Sequence, residues 1–107
     1  MSTTYLTVKA LTKYLKRKFD ADPHLREVYV KGELSNVKIH TTGHIYFTLK
    51  DSEATVNCVM FRSFASRLKF DLENGMQVNV TGRVSVYEKD GGYRIYAENI
   101  VDAGLGD

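Results

Sequence analysis

The sequence predicts a small, mainly β domain, in which a five-stranded barrel follows a helix and carries a short helix between its third and fourth strands. Three observations lead to this prediction. Apolar residues recur at helical spacing near the N-terminus, they alternate with polar residues through five later segments, and helical spacing returns once between the third and fourth of these. At 107 residues the chain is long enough to bury one hydrophobic core.

The first element is a helix that begins after Thr7, because threonine is a common helix N-cap. The apolar residues that follow lie three or four positions apart, on one face, and leave the lysines outward. They are Val8, Leu11, Leu15 and Phe19. Pro23 ends the helix. We assign residues 1–24 to an N-terminal helical extension.

Three strands come next. Residues 28–39 alternate as one long strand, in which Gly32 marks a bend or bulge. The turn "TTG" leads into a second strand at residues 44–51, and the link "DSE" leads into a third at residues 54–61.

The alternation then stops and returns. Ser63 is placed to cap a short helix whose apolar stripe ends before Gly75. The stripe consists of Phe64, Leu68 and Leu72. Residues 76–88 and 93–101 read as the fourth and fifth strands, joined by the turn "KDGG".

Five strands with a helix between the third and fourth is the connectivity of the OB fold, whose second and third strands commonly form an oligonucleotide-binding face. A glycine in the first strand lets it curve and pair with both neighbours. Sm-like and SH3-like barrels share the strand count but not the helix placement. We therefore expect an OB-fold barrel at residues 25–103, followed by the start of a linker at residues 104–107.

One face of the second strand is rich in groups that bind nucleic acid. If Ile45, Phe47 and Leu49 fill the barrel, strand alternation turns their neighbours outward. Tyrosine offers a ring for base stacking, and lysine or arginine offers phosphate contacts. We name ten candidate nucleic-acid-binding residues on this face and around it: Lys31, Lys38, His44, Tyr46, Lys50, Asn57, Phe61, Arg62, Tyr87 and Arg94.

These residues also have plainer interpretations. Tyrosine is a favoured strand residue, so Tyr46 can simply cover the sheet. Phe61 can pack under the second helix, and the lysines can be solvated. Tyr87 and Arg94 can form cross-strand pairs at the last turn. Charge does not decide the matter, because the net charge is only +2, although residues 1–50 hold nine Lys/Arg against four Asp/Glu.

The sequence offers no candidate active site. Its histidines, His24, His40 and His44, have no carboxylate or thiol placed to complete a metal set. Cys58 falls on the inward face of the third strand, and as the single cysteine it excludes an internal disulfide. We expect no catalytic residue, metal or cofactor. Without a long apolar run or a signal core, we also expect a cytoplasmic protein with no membrane partner.

Six motifs occur together, in order, from Tyr5 to the end of the chain. They are "YLTVKALTKYLK" (5–16), "VKGELSN" (30–36), "TGHIYFTLKD" (42–51), "VMFR" (59–62), "GMQVNVTGRVSVYEKDGGY" (75–93) and "GLG" (104–106). Together they resemble the N-terminal domain of the exodeoxyribonuclease VII large-subunit family. The resemblance implies an OB domain that holds single-stranded DNA, with Tyr46, Lys50 and Arg62 among its contacts.

In that family a separate domain further along the chain carries the exonuclease centre, and a C-terminal helical region gathers small subunits. The enzyme degrades single-stranded DNA from either end into oligonucleotides without requiring a divalent metal. The sequence ends at Asp107. The resemblance implies that the family continues from this point into its catalytic domain, so no catalytic residue is carried over. Two other functions stay open: an RNA-binding OB domain of the anticodon-reading kind, and a structural or docking domain.

Overall fold

The computed structural model describes residues 3–104 and has the predicted mainly β architecture. The strands close into a barrel in the order β1-β2-β3-β5-β4, with β4 returning to β1. The elements are α1 (Val8–Ala21), β1 (Val28–Ile39), β2 (Ile45–Lys50), β3 (Thr55–Met60), α2 (Arg62–Ala65), β4 (Gln77–Val86) and β5 (Tyr93–Asp102). Residues 105–107 of the predicted linker lie outside the described residues.

Strand β1 closes the barrel because it serves two neighbours. Its first half pairs with β4 and its second half with β2, and Glu33 pairs with both. Gly32 lies just before this change of partner. A Cβ there would stand 2.8 Å from Leu49 Cγ and 2.9 Å from the Lys50 carbonyl oxygen, so only glycine allows the strands to approach so closely.

The bulge itself is not at Gly32, where the sequence placed a bend or bulge, but between Ser35 and Lys38. Asn36 takes the left-handed conformation there, with a φ of 51°, which asparagine tolerates better than most residues. The extra residue reverses the alternation of β1. Val37 therefore packs against the core and Lys38 is exposed.

The closure between β3 and β5 is the shortest seam of the barrel. These strands run parallel and pair over three positions only, Asn57–Val59 with Arg94–Tyr96. By contrast, β4 and β5 pair along most of their length, with a register shift that makes Glu98 an extra residue. The seam therefore has the fewest ladder bonds holding it.

Strand alternation fills the barrel as the sequence predicts. Ile45, Phe47 and Leu49 of β2 are buried, and Cys58 and Met60 lie beside Phe47 and Ile45 on the neighbouring strand β3, also turned into the core. Burial raises the pKa of the Cys58 thiol to about 12, because the apolar surroundings disfavour the thiolate. The cysteine is a core residue rather than a nucleophile.

Helix α2 is much shorter than the predicted stripe suggests. It comprises only Arg62–Ala65, with Phe61 at the N-cap and no capping side chain, so the expectation that Ser63 caps it is wrong. The apolar side chains still pack on the core, Phe64 from the helix itself and Leu68 and Leu72 from the irregular segment that follows it. Their spacing determined burial, whereas an uncapped turn does not propagate into a longer helix.

Helix α1 is fastened to the barrel near its C-terminal end. Thr7 caps it as predicted, with its Oγ1 accepting from the Ala10 N–H at 3.0 Å. Asp20 accepts from the buried Ser85 hydroxyl of β4 at 2.5 Å and from Lys16 at 2.7 Å. No α1 side chain is fully buried, and Val8 is 83% exposed. Within residues 3–104, no helix combines the length and apolar character needed to span a bilayer.

Replacing Gly82 tests the close contact between β4 and β5. A Cβ at this position would lie 2.3 Å from the Tyr96 carbonyl oxygen, so Gly82→Ala must push the strands apart. We expect the free energy of unfolding to fall by about 1–3 kcal/mol, measured by urea denaturation. Gly92→Ala is the control, because its Cβ meets nothing closer than Asp90 Oδ1 at 3.4 Å. Equal losses in the two variants would contradict the steric argument.

The buried thiol predicts both reactivity and pH dependence. Native protein should not react with a thiol-specific disulfide reagent at neutral pH, whereas protein in concentrated guanidinium chloride should. The pKa of the thiol is 9.0 in the unfolded chain and about 12 in the folded protein. Because the unfolded chain ionises first, the free energy of unfolding should fall as the pH rises through this interval. Cys58→Ala should show a shallower fall. Rapid native labelling would contradict the burial.

Candidate nucleic-acid interface

The barrel places β2, β3 and β5 side by side, and the outward side chains of these strands and of their neighbours β1 and β4 form one surface, here called the outer face. Strand register arranges it in two rows that draw on all five strands. The polar row consists of Ser35, Thr48, Asn57, Arg94 and Ser85. The aromatic row consists of Lys38, Tyr46, Val59, Tyr96 and Arg83. Val59 and Ser85 belong to these rows by register but are buried.

Hydrogen bonds order the middle of the polar row. Thr48 Oγ1 accepts from Asn36 Nδ2 at 3.4 Å and donates to Asn57 Oδ1 at 3.3 Å. Asn57 is thus held by its oxygen, and its exposed amide NH₂ group is able to donate to a ligand. This is an arrangement suited to the acceptor edge of a base.

A shallow groove follows this part of the outer face. The polar and aromatic groups that line it come from four strands: Asn36, Lys38, Tyr46, Thr48, Asn57 and Arg94. Two cationic side chains therefore flank one aromatic ring and a hydrogen-bonding pair. The groove offers both a stacking surface and phosphate contacts.

Tyr46 has an accessible ring at the side of the groove. Its side chain is 38% exposed, it pairs across β1–β2 with Lys38, and His40 meets its ring edge-on with centroids 6.4 Å apart. The sequence predicted that Tyr46 faces outward, and it does. Lys38 joins it only because of the bulge in β1.

A second aromatic group lies just beyond the C-terminal end of β3. Phe61 is 39% exposed and packs edge-to-face on His44 at 5.4 Å and tilted on Tyr96 at 5.9 Å, rather than under α2. The Arg62 backbone N–H donates to His44 Nδ1 at 2.9 Å and so fixes the imidazole. Arg83 covers the Tyr96 ring at 4.3 Å. Rings and cations meet here as well.

Arg94 is half-buried at the junction of β5 with the β4–β5 hairpin. Its guanidinium lies 3.7 Å from the centroid of the Tyr87 ring, as the cross-strand interpretation of this pair requires. Nη2 donates to Asp90 Oδ2 at 3.3 Å, and Nε is buried with no hydrogen-bond partner among the described residues. The guanidinium is well positioned but incompletely satisfied.

Lys31 and Lys50 lie apart from the groove, near the end of the β1–β2 pairing where Glu33 pairs with Lys50. Lys50 Nζ is 3.8 Å from Glu33 Oε2, and Asp51 lines the same depression as both lysines. Carboxylates therefore offset the positive charge at this end. The structure thus divides the ten candidates into three groups. Lys38, Tyr46, Asn57 and Arg94 line the groove, with Tyr87 stacked on Arg94. His44, Phe61 and Arg62 form the second aromatic group, and Lys31 and Lys50 form the lysine pair.

Several residues of the outer face are absent from the predicted set. Tyr96 alternates outward in the sequence, and alternation alone would have identified it. Arg83 alternates outward in the fourth strand in the same way and pairs with Tyr96 across β4 and β5. Asn36 and His40 give no such signal, because their positions depend on the bulge and on the β1–β2 turn. Among residues 3–104, no group of His, Cys, Asp or Glu is able to hold a metal ion.

The chain matches the family model "OB-fold nucleic acid binding domain" over residues 6–101. It is 62% identical, over 98% of its length, to the exodeoxyribonuclease 7 large subunit of Lysinibacillus sphaericus, and 60% identical, over 95%, to that of Bacillus subtilis. The chain spans 23% of the length of each of these relatives. The resemblance drawn from the sequence motifs is thereby confirmed.

Solved structures share the fold at low identity. One is asparaginyl-tRNA synthetase from Pyrococcus horikoshii, with a TM-score of 0.60 and 18% identity over 85% of this chain and 22% of that chain. Another is a replication protein A heterotrimer bound to single-stranded DNA, with a TM-score of 0.59 and 12% identity over 75% of this chain and 59% of that chain. With the fold, the outer face and the family match in agreement, the chain belongs to the family of OB-fold nucleic acid binding domains.

Proposed function

We propose that this chain is the single-stranded DNA-binding domain of an exodeoxyribonuclease 7 large subunit. It holds the substrate on its outer face, while a catalytic domain elsewhere in the parent protein degrades the strand to oligonucleotides. The observation that carries the proposal is the accessible Tyr46 ring in a groove between Lys38 and Arg94. High identity to exodeoxyribonuclease 7 large subunits supports the parent enzyme.

The chemistry of the groove favours single strands over duplex. A ring that lies open on a sheet can stack on an unpaired base, whereas duplex bases already stack on each other. The exposed Asn57 amide suits the edge of such a base, and Lys38 and Arg94 suit the phosphates on either side. Each cation that engages a phosphate adds to the salt dependence of binding.

The ten candidates take different roles in this proposal. Tyr46, Lys38, Asn57 and Arg94 form the central contact, with Tyr87 supporting the guanidinium. Residues of the second aromatic group extend the contact: His44, Phe61 and Arg62. The lysine pair stands at the periphery, because carboxylates offset its charge: Lys31 and Lys50.

The domain division belongs to the same proposal. Residues 1–24 form an extension, residues 25–103 form the binding barrel, and residues 104–107 begin a linker to the catalytic domain. In the parent enzyme the partners are that domain and small subunits. The cytoplasmic location expected from the sequence stays a prediction.

Removing the Tyr46 ring tests the site. Tyr46→Ala should weaken binding of a short labelled oligothymidylate by about 5- to 150-fold, the loss of one stacked base, measured by fluorescence anisotropy at low salt. Tyr29→Ala is the matched control, since Tyr29 is a 74% exposed tyrosine of β1 whose hydroxyl contacts Glu27 and which does not line the groove. Equal effects of the two changes would contradict the assignment of the groove.

Competitors in the same assay separate the alternatives. Unlabelled single-stranded DNA should displace the probe, and duplex of the same sequence should not. Preference for RNA of the same sequence would favour an anticodon-type reader that uses the 2′-hydroxyl. A wild-type protein that does not bind would favour the docking domain.

The isolated chain should bind DNA without cutting it. In this proposal the nuclease centre lies in another domain of the parent protein, and the Cys58 thiol is buried and protonated. End-labelled single-stranded DNA should therefore remain intact on a denaturing gel after long incubation with this chain. Cleavage that co-purifies with the chain would contradict this, whether or not Cys58→Ala retains it.

A further inference from the structure

We infer that the Asp90 carboxylate competes with a DNA phosphate for Arg94. A phosphate that enters the groove must therefore displace this carboxylate from the guanidinium. The inference rests on the proposed function of the groove. It adds an element that the function does not require, namely a contact in the free domain that opposes binding.

Arg94 is placed to serve the groove whether or not Asp90 is present. It lies beside Asn57 in the register of β3 and β5, and its guanidinium stacks on the Tyr87 ring at 3.7 Å. The side chain is only 20% exposed. Packing on the tyrosine therefore fixes the direction of the guanidinium, and the carboxylate is not needed for that purpose.

The hydrogen bonds of Arg94 are incomplete in the free domain. A guanidinium has five N–H donors. Here Nη2 makes a single, long contact of 3.3 Å with Asp90, and Nε has no partner among residues 3–104. A phosphate, which accepts two parallel N–H bonds from arginine, would satisfy the group better than this one contact does.

Asp90 is held in place independently of Arg94. Its Oδ1 accepts from the Gly92 N–H at 2.9 Å. The hairpin around it is closed by two backbone bonds, from the Tyr87 N–H to the Gly92 carbonyl oxygen and from the Gly91 N–H to the Tyr87 carbonyl oxygen. The Gly92 N–H, and to a smaller extent Arg94, hold the pKa of Asp90 below its usual value, so the carboxylate is charged at neutral pH. Only Oδ2 would have to give up a bond when phosphate enters.

The test is Asp90→Asn, which removes the charge and keeps an Oδ1 that accepts from Gly92. We expect oligothymidylate to bind about 2- to 5-fold more tightly than to wild type at low salt, the size expected for one exposed ion pair, and the gain to shrink as salt rises. Glu88→Gln is the matched control. It removes an equal charge from an exposed residue of the same hairpin, and should produce a clearly smaller gain.

A double-mutant comparison assigns the effect to Arg94. In an Arg94→Ala background, Asp90→Asn should give no more gain than Glu88→Gln, because the residue for which Asp90 competes is gone. Weaker binding by Asp90→Asn would overturn the inference and make Asp90 a positioning group. Equal gains from the two neutralisations would also overturn it, in favour of a general field effect.

The same assay distinguishes failure of this inference from failure of the proposed function. If Tyr46→Ala weakens binding and Asp90→Asn does not strengthen it, the groove binds DNA and only the competitor role is wrong. If wild type, Tyr46→Ala and Asp90→Asn all fail to bind, both are wrong.

Discussion

Barrel closure depends on one crowded point, where Gly32 passes over Leu49 and β1 changes its partner from β4 to β2. A larger residue there would keep the strands apart, and the sheet would open instead of returning on itself. Closure brings β5 beside β3, and this neighbourhood aligns Arg94 with Asn57 and Tyr96 with Val59. The candidate interface is therefore a product of closure, and none of its rows exists within a single hairpin.

Local periodicity explains why so much of the fold could be predicted from the sequence. Alternation identified the inward residues of β2 and the outward position of Tyr46, because each depends only on its own strand. Lys38 is different: strict alternation from Leu34 would turn it inward, and the bulge at Asn36 turns it outward. Alternation turns Tyr96 and Arg83 outward, but only the pairing of β5 with β3 and with β4 places both of them in one row with Val59. The sequence predicts too long a second helix, because apolar residues at helical spacing, such as Leu68 and Leu72, can be buried without lying in a helix.

The distribution of charged residues along the sequence does not indicate where the candidate interface lies. Most of the basic residues of the N-terminal half lie on α1 or beside carboxylates, and the groove uses only Lys38 from that half. Helix α1 nevertheless adjoins the outer face, because Asp20 is bonded to Ser85, the last member of the polar row. The lowered pKa of Asp20, which Lys16 and Ser85 cause, keeps this link charged at neutral pH.

The three-residue seam between β3 and β5 is the part of the barrel most prone to local opening. Few ladder bonds cross it, so local opening, and with it amide hydrogen exchange, should begin there rather than along β4 and β5. A strand of DNA that touched Asn57 and Arg94 together would bridge both sides of this seam. DNA bound there would hold the two strands together, so the domain would be more rigid with DNA bound than without it.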